Sequence, residues 1–150
     1  MSDFTTRRRF ARALIIAAGI DAQPRPTAVN VVVAWMFAES GRAVNDGKSG
    51  AAFNPLNTTK VTDGSTMEEW NKVHVQNYIS LLDGFAATVS TLSQDNMADI
   101  RKALGKEGLS GDETARAIDN SLWGTGNLEA FMATYRKHAT EFDALPIGVL

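Results

Sequence analysis

The chain has 150 residues, 44% of them hydrophobic and 21% charged, with a net charge of −2. That length fits one domain with one core, and that balance excludes a chain dominated by disorder. The small net charge gives no electrostatic footprint for nucleic acid, and the absence of cysteine removes disulfides, thiol nucleophiles and cysteine-ligated zinc together. The two histidines, His74 and His138, are too few and too scattered to suggest a metal centre. No cofactor is expected.

Along the chain, Thr6-Arg7-Arg8-Arg9-Phe10 is followed by the apolar Ala13-Leu14-Ile15-Ile16-Ala17-Ala18. That order is also found in export signals, twin-arginine ones included. The apolar run is short and Arg12 interrupts its start, so an amphipathic first helix is the preferred reading. Phe10, Leu14, Ile15 and Ala18 form its stripe, Gly19 ends it, and Arg7 to Arg9 make a solvated start. No stretch is long enough to span a membrane. Pro24-Arg25-Pro26 marks a turn, after which residues 27–39 read as a helix with Val29, Val32, Val33, Met36 and Phe37 at helical spacing. Val31, Ala34, Trp35 and Ala38 make the remaining faces apolar, which predicts a helix buried in the middle of the domain. Polarity returns at Glu39 and Ser40, and Gly41 is a natural stop.

Residues 41–80 are rich in Gly, Asn, Thr, Ser and Asp and show little helical periodicity. A polar segment of that length inside a compact domain points to function, with His74 to Tyr78 as one strand of a small hairpin. Ser80 and Asp83 then cap a helix whose expected buried stripe is Leu82, Phe85, Val89 and Leu92. Asn96 is the expected cap of a short helix through Ile100 and Leu104. Ser110 and Glu113 form a capping box for a helix carrying Ile118 and Leu122. A last helix follows Trp123-Gly124-Thr125-Gly126, with Leu128, Phe131, Met132, Tyr135 and Phe142 on one side and His138 on its exposed flank. The predicted fold is mainly α: helices around one central helix, with a small irregular or β-hairpin lobe forming one side of a cleft. No repeat or linker divides residues 1–150.

A glutamate closing a buried helix beside a polar lobe is the arrangement glycoside cleavage needs. A general acid has to hold its proton near neutral pH, and apolar surroundings raise a carboxyl pKa by disfavouring the anion. Trp35 and Met36 lie four and three residues before Glu39, on the same helical face. Asn54, Asn57, Thr58, Thr59, Gln76, Asn77 and Tyr78 supply amides and hydroxyls suited to sugar recognition. By spacing alone, a glutamate at a helix end is more often solvated or a cap than catalytic.

Three segments carry a resemblance: Trp35-Met36-Phe37-Ala38-Glu39-Ser40-Gly41, then Phe53-Asn54-Pro55-Leu56-Asn57-Thr58-Thr59, then Val75-Gln76-Asn77-Tyr78. With Asp83-Gly84, Ala86-Ala87-Thr88 and Ser121 to Gly126, the ordered set resembles phage-encoded lysozyme-like domains related to goose-type lysozymes and soluble lytic transglycosylases. The likeness spans about residues 10–135. It implies that Glu39 is the catalytic acid, that the Ser40 hydroxyl orients it, and that Gln76 touches the sugar. Tyr78, Asn54 and Thr58 would line the cleft, and Trp123 would either stack on a sugar or pack in the core.

The pattern is incomplete. The transglycosylases' Gly-Leu-Met-Gln motif is reduced to Val75-Gln76, with His74 where related phage sequences carry glycine. Their Ala-Tyr-Asn-Ala-Gly motif has no counterpart, which leaves the downstream tyrosine unassigned.

The implied substrate and partner is bacterial peptidoglycan, cut at the β-1,4 bond from N-acetylmuramic acid to N-acetylglucosamine. Inverting hydrolysis needs a second carboxylate ~6.5–9.5 Å from the first. Asp46, Asp63, Glu68 and Glu69 are the candidates; Asp46 also reads as a turn residue in Asn45-Asp46-Gly47. Transglycosylation, by the family mechanism, uses the sugar's own 6-hydroxyl and one acid. The implied setting is a phage virion, or the host cytoplasm before lysis, with the cell wall as target and other virion or tail proteins as further partners. A structural virion protein that kept the fold without turnover, or a glycan-binding module, is the rival expectation.

Overall fold

The computed structural model describes residues 3–40, 50–105, 109–123 and 128–143, with side chains for 7–39, 50–105, 109–123 and 128–137. Asp46 and the side chains of Ser40, His138 and Phe142 therefore lie outside what is described.

The first helix, α1 (Asp3–Ala17), ends as its glycine foretells. Gly19 has φ +70°, and two backbone bonds close the turn: Gly19 N–H to the Ile16 carbonyl (3.0 Å) and Ile20 N–H to the Ile15 carbonyl (3.1 Å). That double closure over a left-handed glycine is the Schellman arrangement, with Ile20 packed back onto the core. The first turns depart from expectation. Arg9 is exposed, but Arg7 and Arg8 are buried. Arg7 lies three and four residues before Phe10 and Ala11, hence on the core face, and its guanidinium sits 4.1 Å from the centre of the Phe37 ring. An aliphatic stem along apolar surface and a planar cation over an aromatic face make that burial feasible.

Helix α2 (Pro26–Ser40) opens with proline at its first position, where the missing N–H costs nothing. Residues 28–36 are buried without a break, so the helix is enclosed on every side, as its composition predicts. It packs against α1, α5 and α6. Arg25 anchors its start to the end of a later helix by donating to the carbonyls of Ala103, Gly105 and Leu109 at 3.3, 2.7 and 3.0 Å.

The lobe from Gly50 to Tyr78 holds two short antiparallel strands, β1 (Ser65–Glu69) and β2 (Gln76–Tyr78). Ser65 pairs with Tyr78 and Glu69 with Gln76, so β1 advances four positions while β2 advances two, and a bulge absorbs the difference. His74, in the reversal between them, takes φ +66°, a left-handed value that glycine would enter without cost. Its ring is exposed and meets Glu69 Oε2 at 2.9 Å.

Helix α3 (Leu81–Leu92) is capped by Ser80, whose Oγ accepts from the Asp83 N–H and donates to Asp83 Oδ2. Of the expected stripe, Leu92 is buried and Phe85 and Val89 pack against the core, but Leu82 is 74% exposed, and the fully buried face runs through Gly84, Ala87, Thr88 and Leu92. The cause is a close approach, because a Cβ at Gly84 would stand 1.7 Å from the Phe53 carbonyl oxygen. A leucine-sized neighbour would hold the lobe away.

A 3-10 turn (Asp95–Met97) leads into α4 (Ala98–Leu104), so Asn96 lies inside the turn and does not cap the helix. Helix α5 (Gly111–Asp119) starts on Ser110, which accepts from the Glu113 N–H as predicted, but it stops before Leu122, and Leu122 is exposed. Helix α6 (Leu128–Asp143) buries Phe131 and Met132. Among the described residues, one apolar cluster draws on all six helices, with Leu14, Val32, Leu92, Leu104, Ile118 and Phe131 among its members. Among the described residues, no helix is long and apolar enough to cross a membrane.

Candidate functional site

Helix α2 ends by carrying Glu39 from the core to the edge of the lobe. Two neutral donors hold its partly buried carboxyl: Trp35 Nε1–H reaches Oε1 at 3.3 Å, and Asn57 Nδ2–H reaches Oε2 at 3.2 Å. Asn57 also donates to the Glu39 main-chain oxygen at 2.8 Å. Burial pushes the Glu39 pKa above its ordinary value, and the two hydrogen bonds, which favour the anion, only partly offset it. Among the described residues, no charged group contributes to that shift.

Trp35 is fully buried and meets Trp123 edge to face, with ring centroids 4.9 Å apart. Trp123 donates from Nε1 to the Leu56 carbonyl at 3.0 Å and presents its remaining surface to a pocket of about 210 Å³. It therefore packs and lines at once. Asn57, Thr58, Thr59, Thr91, Met97 and Leu122 complete that pocket. A second pocket of about 450 Å³ continues it, sharing Thr58, Thr59, Thr91, Met97 and Leu122 and adding Lys60, Val61, Gln94 and Asn96. The result is a groove with hydroxyl and amide groups on its lobe side and Trp123 at the end nearest Glu39's partners. Thr58 Oγ1 and Thr91 Oγ1, 2.6 Å apart, join lobe to helix along it.

Three residues expected to line a cleft do structural work. Asn54 is fully buried; its Nδ2 donates to the carbonyls of Thr58 and Gln76, both at 2.8 Å, and its Oδ1 accepts from the Thr58 N–H at 2.9 Å. Gln76 is buried, with Nε2 donating to the His74 carbonyl. Tyr78 is buried with its hydroxyl donating to the Lys60 carbonyl at 2.6 Å, and burial raises its pKa to about 12. In a lobe with little regular structure, side chains have to satisfy the backbone that strands would otherwise satisfy.

Asp63, Glu68 and Glu69 are exposed in and before β1, and Glu69 is engaged with His74. The sequence reading missed Asn57 as Glu39's partner. Its signal was a second amide three residues after Asn54, but the contact crosses 18 positions and no local pattern announces it. Among the described residues, no group of three or more metal-ligating side chains comes together. The chain matches no protein-family model, no curated protein and no solved structure.

Proposed function

We propose that the protein is a peptidoglycan-cleaving glycosidase, a muramidase or lytic transglycosylase, with Glu39 as its general acid. The observation that carries this is the environment of that carboxyl: delivered by an apolar helix, held by two neutral donors, and driven by burial toward the protonated form. A proton held in that way is available to the oxygen leaving a glycosidic bond as positive charge develops on the sugar. The adjoining groove of threonine hydroxyls, amides and an indole suits a saccharide, which offers hydroxyls to the former and an apolar ring face to the latter. The muramic acid–glucosamine specificity and the phage setting rest on the resemblance of residues 10–135.

Glu39 has no carboxylate partner contributing to its proton affinity among the described residues. Transglycosylation needs that one acid alone, whereas inverting hydrolysis would need a second carboxylate, for which the nearest candidate in sequence, Asp46, lies outside the described residues. Digestion of purified peptidoglycan followed by mass analysis separates the two: anhydro-sugar ends identify transglycosylation, and reducing ends identify hydrolysis. Glu39→Gln should lower fragment release by ~10²–10⁴-fold while the fold is kept. A wild type that leaves the wall intact would leave the rival reading, a virion scaffold or glycan-binding module, and the structural engagement of Asn54, Gln76 and Tyr78 is the observation that favours it.

A further inference from the structure

Asn57 is the side chain shared by the Glu39 carboxyl and the groove. Its main chain lies in the left-handed region, φ +55°, which a non-glycine residue enters at some cost. The Glu39 main-chain oxygen can only accept, so the amide has to turn its nitrogen toward it, and Oδ1 faces away. That Oδ1 is buried, with no hydrogen-bond partner among the described residues. A left-handed backbone and an orphaned acceptor both work against stability. What they secure is one nitrogen within reach of both the last turn of α2 and Glu39 Oε2.

We propose that Asn57 is the positioning residue for the Glu39 carboxyl, an inference that rests on Glu39 being the acid. The amide ties Oε2 to a main-chain atom of its own residue, which fixes the carboxyl's direction beside Asn57, itself a wall of the groove. It also favours the anion and so opposes burial, keeping the proton transferable. Arg7 of α1 packs over Phe37, two positions before Glu39; among the described residues, no charged group of α1, α5, α6 or the lobe contributes to Glu39's shift.

Asn57→Gly suits the left-handed backbone and removes only the amide; Asn57→Asp keeps the shape but replaces the donor with a like charge. Glu39 is followed by carboxyl-carbon NMR titration, and fragment release from purified peptidoglycan is measured against pH. Both variants should move the Glu39 midpoint to higher pH, Asp further than Gly, and the falling limb of the rate should move with it. The Gly variant should lose ~10–100-fold in rate at its optimum. Midpoints unmoved in both variants overturn the proposal and leave Asn57 as a helix cap alone. Should the Gly variant fail to fold, the Asp variant carries the same test. If the wild type cleaves nothing, the glycosidase reading falls, and the midpoints alone then decide whether Asn57 sets the carboxyl.

Discussion

Helix α2 is enclosed on every side, whereas the lobe from Gly50 to Tyr78 buries its base and leaves residues 67–74 exposed, and the two satisfy their backbones by opposite means. The helix satisfies its own backbone and offers only side chains to its neighbours, so a run of valine, alanine, tryptophan and methionine is enough to place it at the centre. The lobe has eight residues in strands, five in β1 and three in β2, and relies on Asn54, Gln76, Asn77 and Tyr78 to close the remaining carbonyls and amides. Glu39 lies where the two meet, and each contributes one donor to it: Trp35 from the helix, Asn57 from the lobe. The lesson is that polar residues in an irregular segment are claimed by the backbone first, and what is left over is free to meet a ligand.

The sharpest way to break this contrast is Asn54→Ala. It strands the Thr58 N–H and the Thr58 and Gln76 carbonyls in a buried setting, and should cost about 3 kcal/mol, seen as a lowered denaturant midpoint. Hydrogen exchange should rise first in the lobe, while amides of α2 keep their protection. A loss spread evenly over both regions would mean that they unfold as one.

A smaller, pH-dependent effect is expected at their junction. The folded-state pKa of Glu39 is raised by burial, so the native state binds its proton more tightly than the unfolded chain does. Stability from this group is full below the unfolded value, near 4.3, and is lost as pH rises through the folded value. Glu39→Gln removes that titration, so its stability relative to wild type should improve from pH 4 to pH 7. Thermal melts at the two pH values check the sign, and a difference that stays flat would contradict the burial described above. The smallest effect is expected at Leu82→Ser, within about 0.5 kcal/mol, because the side chain is 74% exposed. A large loss there would restore the leucine to the core.

Much of the helical frame was legible because its signals are local. The all-apolar run of α2, the Ser80–Asp83 and Ser110–Glu113 caps and the Gly19 stop each depend on residues within a turn of one another. The errors came where a distant partner decides. Leu82 outranks Gly84 on any hydrophobic scale, yet the Phe53 carbonyl needs the face with no side chain. Charge alone places Arg7 in solvent, but Phe37, thirty positions on, gives it an aromatic surface. Glu39 could be singled out from its helix; that the amides of Asn54 and Gln76 turn inward while that of Asn57 reaches the acid is decided by tertiary geometry.

The hydrogen bond from Trp35 to Glu39 has a spectroscopic consequence. It couples an ionisable group to a chromophore, so the emission of that buried indole should respond when the carboxyl gains or loses its charge. Trp70 lies far more open to water and contributes a separate, red-shifted background. The molecule thus carries its own optical reporter of the acid's charge state, readable without labels or substrate.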